Sequence, residues 1–439
     1  MVVGDVATAV DVIVLGAGPA GYTAAIRAAQ LGQDVVIIDP KSGGGSCLNE
    51  GCHPADHLLA EARRHQVVNW GALQRRKREI IDAHRQQIER QLERHGVAVA
   101  QGKGWFINAT EMRVEGQYGA LKFIFDQAVI ATGGKPTALN TLPFDGEQIL
   151  TPTQALALEH LPSSIAIIGA DYIAAELATL FITLGVPTQL LIPAGHRLLA
   201  EFDAVAGQLV ETQLKQNGVA IKHDVTISQG FAVKTDKVIV SVGIEPNTAG
   251  LHLEAAGVAI DACGFIPVND RMQTNIPAIY AAGDVTGGPP LAALAIKQGR
   301  IAAEAIAGRP VQYAPQALPM AARTDPEIAA VGLTAVQAEA LGYDVVSTQL
   351  PINAGSYPPL FDASHGFALI VAEKESQLLL GLTLVCPHAG DIISEAALAI
   401  ELGATLTDLA ETIHPYPSLS QVIQHVAEAA LETLNHGWP

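Results

Sequence analysis

Residues 11 to 39 constrain the fold more than any other stretch of this chain. Asp11 to Leu15 is a continuous aliphatic and β-branched run, as expected of a parallel strand buried on both faces. Gly16-Ala17-Gly18-Pro19-Ala20-Gly21 follows, then an alanine-rich helical stretch to Leu31 and a second strand, Asp34 to Ile38, ending in Asp39. Gly16, Gly18 and Gly21 permit a tight turn, close approach of the backbone to a pyrophosphate, and close packing of helix on strand. The helix N-terminus supplies amide donors. Asp39 stands where a carboxylate would hydrogen-bond a ribose. Strand, glycine turn, helix, strand and acid in this order predict a dinucleotide-binding βαβ unit.

A second unit of the same kind runs from Ser164 through Ile168, Gly169-Ala170-Asp171-Tyr172-Ile173-Ala174, a helix to Leu184 and a strand to Ile192. With 439 residues, the chain is too long for one ordinary core. Strands alternate with helices through both units, and the strand-rich stretch Ala329 to Val385 is followed by helices. The expected fold is α/β: two Rossmann-like dinucleotide-binding domains plus a C-terminal α+β dimerisation domain. Residues 1–140 with 252–315 form the first, 141–251 the second, and 316–439 the third.

Charge and composition exclude some functions. With 44 acidic against 26 basic residues, the net charge of -18 repels a phosphate backbone, so nucleic acid is not an expected partner. Charged residues make up only 16% of the chain, which suits surface committed to contacts between subunits. No apolar stretch approaches ~18 residues, and the start at Val10 to Leu15 lacks a basic flank, so a soluble, cytoplasmic protein is expected, with no membrane partner.

Four cysteines in such a chain do not make a disulfide framework. Cys263 and Cys386 stand alone and read as small buried hydrophobes. Ser42-Gly43-Gly44-Gly45-Ser46 leads into Cys47-Leu48-Asn49-Glu50-Gly51-Cys52, a pair whose residues alone leave two readings, catalytic or metal-binding. His53 and His57 keep the metal reading open, but zinc ordinarily shows a C-x2-C spacing with a second ligand pair. The expectation is therefore no metal. In a regular helix, residues five apart have Cα atoms ~8–9 Å from each other, whereas a disulfide wants less than ~7 Å. Bridging this pair would need a distorted turn, which Gly51 helps to allow, and would leave a reducible bond.

These motifs resemble the pyridine nucleotide–disulfide oxidoreductases, and within them the dihydrolipoamide dehydrogenases. The segment from Cys47 to Cys52 looks like the C-x4-C active site of that family. Ala131-Thr132-Gly133-Gly134 and Ile279-Tyr280-Ala281-Ala282-Gly283-Asp284 resemble its second and third flavin segments. The likeness continues through Ser241-Val242-Gly243, Pro246-Asn247-Thr248, Thr324-Asp325-Pro326-Glu327 and Glu395 to Glu401. The resemblance implies FAD, held by Gly16, Gly18, Gly21, Asp39, Ser46, Thr132, Gly133, Gly283 and Asp284. It also implies a redox disulfide in which Cys47 exchanges with a dithiol substrate and Cys52 contacts the flavin, a lipoyl-carrying protein as a partner, and a homodimer whose active sites are built from both chains.

Three departures from the family pattern stand out. The second glycine of the second βαβ unit is Asp171, whose carboxylate would occupy the helix N-terminus and repel a pyrophosphate. The strand-end acid for the ribose corresponds to Ile192, and the chain between Thr226 and Val238 is short. NAD(P) binding is therefore expected to be weak or absent. In the C-terminal segment His414-Pro415-Tyr416-Pro417-Ser418-Leu419-Ser420-Gln421, register puts Tyr416 where the family has its histidine base and Gln421 where it has the carboxylate. A phenol, with an ordinary pKa near ~10, is a poor base at neutral pH. Asp56 replaces the lysine that the family pairs with the glutamate at Glu176; two carboxylates in a poorly solvated site would share a proton.

The residues expected to carry catalysis are thus Cys47, Cys52, Glu176, His414, Tyr416 and Gln421. The expected function is an FAD-dependent dithiol/disulfide oxidoreductase resembling dihydrolipoamide dehydrogenase. A mercuric-reductase-like enzyme is one alternative, although Leu431 to Pro439 holds no further cysteine pair. A flavin-binding assembly protein that has lost turnover is the other.

Overall fold

β1 (Ala7–Leu15) is a central strand of a seven-stranded sheet and pairs in parallel with β2 (Val35–Asp39) and with Gly119–Ile130. The order across the sheet is Ala98–Gln101, β2, β1, Gly119–Ile130, Glu111–Gly116 and Lys103–Asn108, with Ile279–Ala281 also parallel to Gly119–Ile130. Val12 and Val14 belong to the apolar layer shared with α1 (Pro19–Gln30), while Ile13 and Leu15 belong to the opposite layer with Phe106 and Phe125. From Val12 to Leu15 neither face meets water, which is why this part of the strand reads as an unbroken apolar run. Each such side chain contributes ~1.5–3 kcal/mol on burial. α1 packs on the helix Ala292–Ile306, where Gly299 leaves room for the carbonyl of Ala20. After β2 come α2 (Gly45–Asn49), α3 (Cys52–Arg64) and α4 (Trp70–Arg94).

The computed structural model describes residues 7–41, 43–64, 69–117, 119–354 and 365–436; Ser42 lies outside them. Contacts divide the chain into two units. One comprises Met1–Ala138, Thr151–Leu161 and Gly243–Ala314; the other comprises Leu139–Leu150, Pro162–Val242 and Pro315–Pro439.

In the second unit β3 (Ile165–Gly169), α5 (Tyr172–Thr183) and β4 (Thr188–Pro193) form the second βαβ. Its sheet is parallel throughout, in the order Ala220–Val225, β4, β3, Lys237–Ser241, Ile149–Leu150. The same unit contains an antiparallel five-stranded sheet, Met320–Ala322, Ile328–Gly332, Leu379–Val385, Phe367–Glu373 and Val345–Pro351. The helices Ala389–Leu402 and Gln421–His436 pack on it. The fold is the expected α/β arrangement of two dinucleotide-type βαβ units and a C-terminal α+β portion.

Cys386 is buried as expected, but Cys263 is exposed. Asp261 Oδ1 accepts the amides of both Cys263 and Phe265, and the tight turn so formed holds Cys263 at the surface. Among the described residues no helix is long and apolar enough to cross a membrane.

Candidate active site

The first glycine turn separates three requirements. Gly16 has φ +105°, and a Cβ there would strike the carbonyl of Ala131; a Cβ on Gly21 would strike the carbonyl of Gly16. Both glycines are demanded by the protein's own backbone. Gly18 is different: its φ is -74°, and a Cβ would meet only Gly45 Cα at 3.7 Å. Among the described residues nothing requires a glycine there, so the open face at the N-terminus of α1 suits a ligand that approaches the backbone. Asp39 Oδ2 accepts the amide of Ala17 at 2.7 Å and Oδ1 that of Lys41 at 2.8 Å, which fixes the carboxylate beside the turn with lone pairs to spare for hydroxyls. Burial nonetheless pushes Asp39 above the usual carboxylate range, against the pull of those two amides.

The other flavin segments converge in the same unit. Thr132 Oγ1 donates to the carbonyl of Asn247 (2.8 Å), and Asn247 Nδ2 donates to that of Thr132 (3.0 Å). Gly133 sits at φ +68° with open space where a Cβ would be. Gly283 donates its amide to the buried Gln298 Oε1 (2.7 Å), and Asp284 begins a short 3-10 turn, its carboxyl raised by burial. The donors, the acid and the uncovered glycines fit FAD.

Cys47 lies in α2 and Cys52 opens α3; Glu50 and Gly51 break the helix between them. Gly51 acts by closeness rather than by a left-handed φ, since a Cβ there would lie 3.3 Å from the Ser46 carbonyl and 3.6 Å from Cys47 Cα. The break brings the sulfurs within hydrogen-bond reach. The hydrogen bond from Cys52 lowers the Cys47 thiol against burial, Asp56 and Asp284, whereas the same bond, burial and the neighbouring charges raise Cys52. In the reduced pair the shared hydrogen bond therefore favours the thiolate on Cys47 and the thiol on Cys52. Ser46, just before, is exposed.

A cleft of about 290 Å³ opens on Cys47, lined among others by Tyr22 and Ile26 of α1, His53, and His84 and Gln87 of α4. The rings of His53 and His84 meet edge to face with centroids 5.3 Å apart. Burial and then His84 lower the His53 pKa, against Asp56. His57 lies elsewhere, beside Glu61 and Lys77, with its Nε2 buried and unpartnered. Asp56 is exposed, in contrast to the poorly solvated position expected for it. Among the described residues no group of three or more His, Cys, Asp and Glu is arranged to hold a metal.

At the second glycine turn, Asp171 caps α5. Its Oδ1 accepts the amide of Ala174 (2.8 Å), and Ser241 Oγ donates to it at 3.0 Å. Glu201, a residue the sequence did not single out, takes the amide of Tyr172 through Oε1 at 2.7 Å. Two internal carboxylates therefore use the N-terminal amides of α5. Burial pushes Asp171 up to about 6 despite those hydrogen bonds, and it raises Glu201 as well. Ile192 is fully buried in β4 and presents no acceptor. No strand forms between Val225 and Lys237, the stretch expected to be short.

In the C-terminal portion, Tyr416 is 74% exposed and Gln421 Oε1 accepts the amide of Ser418 (3.4 Å). His414 is buried with both ring nitrogens engaged, Nε2 by Glu395 Oε1 (2.8 Å) and Nδ1 by the Thr412 carbonyl (2.9 Å). Glu176 Oε1 accepts the backbone amide of Arg323 at 2.8 Å.

The fold, the flavin turn and the thiols across a helix break define a flavoprotein disulfide reductase. Residues 10–299 match the pyridine nucleotide-disulphide oxidoreductase family and residues 318–427 its dimerisation domain. The chain is 35% identical to the dihydrolipoyl dehydrogenase of Bacillus subtilis (strain 168), over 99% of each. It is 38% identical to that of Thermus scotoductus, over 95% of this chain and 97% of the other. Among solved structures, the HOCl-induced flavoprotein disulfide reductase RclA from Escherichia coli, as a Cu(II) complex, gives a TM-score of 0.89 at 25% identity. LpdA from Mycobacterium tuberculosis gives 0.89 at 29%, and each covers 96% of this chain and 99% of the other. The chain belongs to the pyridine nucleotide-disulphide oxidoreductase family. It is an oxidoreductase with FAD as cofactor, and its dimerisation domain supports a homodimer.

Proposed function

We propose that this protein moves electrons between a dihydrolipoyl-type dithiol and FAD through Cys47 and Cys52, and that it uses nicotinamide poorly or not at all. The observation that carries the reading is the thiol pair: two sulfurs in hydrogen-bond contact across a helix break, the first lowered in pKa by the second and set on the wall of a cleft of about 290 Å³. FAD, when bound, would supply a two-electron acceptor. A compact dithiol fits that cleft, where Cys47 is the sulfur it reaches, and the lowered Cys47 pKa helps that sulfur leave when the second substrate thiol closes the cyclic disulfide. In this reading residues 1–140 and 252–315 form the flavin domain, 141–251 the nucleotide-type domain, and 316–439 the interface portion. The carboxylates of Asp171 and Glu201 on the N-terminal amides of α5 support weak nicotinamide binding, because a pyrophosphate would have to displace two internal anions. Anaerobic titration of the flavin-loaded protein with dihydrolipoamide, NADH and NADPH is the test. The dithiol should bleach the flavin stoichiometrically and the nicotinamides slowly. A flavin indifferent to dihydrolipoamide would refute the dithiol role; fast reduction by micromolar NADH would refute the nicotinamide part.

A further inference from the structure

The dithiol reading needs a base, and the C-terminal segment does not offer a good one. A phenol ionises too high to serve readily at neutral pH, and His414 has both nitrogens occupied by oxygen acceptors. The cleft that holds Cys47 has imidazoles of its own. His53 follows Cys52 directly, His84 comes from α4, both are exposed to the cleft, and their rings are in edge-to-face contact. We propose that His53, braced by His84, is the base that deprotonates the incoming dithiol, supplied by the same chain that carries the cysteines. This rests on the dithiol reading above.

The exchange balances without a further reagent. The His53 imidazole takes the proton of the first substrate thiol, and the resulting thiolate attacks Sγ of Cys47. The Cys47–Cys52 bond breaks and its electron pair leaves on Cys52. The second substrate thiol, deprotonated in the same way, attacks the substrate sulfur now bonded to Cys47, closing the cyclic disulfide and releasing Cys47 as thiolate. The substrate has lost two electrons and two protons; the cysteine pair has gained the electrons, and the histidines pass the protons to Cys52 and to solvent.

The titratable groups around His53 are Cys47 of α2, Cys52 and Asp56 of α3, His84 of α4 and Tyr22 of α1. Burial and His84 outweigh Asp56, so the imidazole stays neutral, and able to accept a proton, through the neutral pH range. The His84 ring, in edge-to-face contact, adds to the lowering of His53 and fixes the orientation of its imidazole in the cleft.

The experiment uses the flavin-loaded, oxidised protein mixed anaerobically with dihydrolipoamide, quenched in acid and alkylated, with mass spectrometry counting free Cys47 and Cys52. This reads thiol exchange itself, independent of flavin colour. His53→Gln together with His84→Gln should slow the appearance of the thiols on the order of 10²–10³-fold at pH 7. The wild-type rate should rise and level off below the ordinary histidine pKa, whereas the double variant should keep rising about tenfold per pH unit, following the substrate's own thiol. Both positions are exposed, so flavin content should be unchanged. A double variant within threefold of wild type, with the same pH profile, overturns the proposal; so does a loss that follows Tyr416→Phe and spares the double variant. A wild-type pair that dihydrolipoamide does not reduce at all removes the dithiol reading itself, a distinct outcome.

Discussion

Asp171→Asn separates charge from shape at the second nucleotide turn. Asparagine still caps a helix, so α5 keeps its N-terminal bond, but the anion is gone. The Coulomb repulsion between two unit charges 4 Å apart is about 4 kcal/mol at an effective dielectric of 20, roughly a thousandfold in affinity. The structure sets a lower ceiling. Because burial pushes Asp171 up to about 6, the protein can accept a pyrophosphate by protonating the carboxyl instead, and at pH 8 that costs only about two pH units, or ~100-fold. Asp171→Asn should therefore strengthen NAD+ binding by up to ~100-fold at pH 8, about twofold at pH 6, and hardly at all at pH 5. The wild-type affinity should itself climb as pH falls from 8 to 5, since the carboxyl is neutral below about 6. Titration calorimetry with NAD+, which survives acid, measures both. Stability gives a second readout of the same sign. An acid raised from 3.8 to about 6 favours the fold below 3.8 and loses that advantage as pH rises through 6, so the variant should gain up to about 3 kcal/mol over wild type at pH 8 and none at pH 3. Equal affinities of variant and wild type at pH 8, or wild-type binding that ignores pH, would refute the reasoning and assign the weak site to Ile192 or the short stretch after Val225.

At the first turn, Gly18→Val should leave a folded chain that no longer retains FAD, since only Gly45 stands near the new side chain. Gly21→Ala should cost the fold itself, because its Cβ meets the carbonyl of Gly16. Flavin absorbance and thermal melts of both variants distinguish these effects; FAD retained at full stoichiometry in Gly18→Val would remove that face from the cofactor site. Cys52→Ser should hold its flavin yet show no bleaching by dihydrolipoamide, because the attack on Cys47 has no disulfide to open; thiol-driven bleaching at the wild-type rate would exclude Cys52 from the chemistry.

What was legible in the sequence was local. β1 and the glycine turn were readable because a strand buried on both faces must be apolar throughout and the turn needs glycine at fixed offsets. Asp171 was readable for the same reason, as a side chain at a position whose neighbours dictate its surroundings. Glu201 was not. It reaches α5 because the preceding loop folds back through Leu199, which adopts φ +55° and donates its amide to the carbonyl of Ala170; no periodicity announces that path. His84 was hidden likewise, one polar residue among many on the exposed side of α4 until packing set it against His53. His414 illustrates the opposite case: its segment was singled out, but the carboxylate that binds it, Glu395, lies nineteen residues away on the helix Ala389–Leu402.

The contact between Gly18 and Gly45 has a mechanical consequence. The turn that faces the cofactor and the first residue of the cysteine helix touch backbone to backbone, and the amide of Gly44 is bonded to the carbonyl of Ala17 at 2.8 Å. With no side chain to act as a cushion, a displacement of one segment is handed undiminished to the other. On the proposed reading of the turn as the flavin site, cofactor binding and the placement of the cysteine helix are thus geared together at this contact.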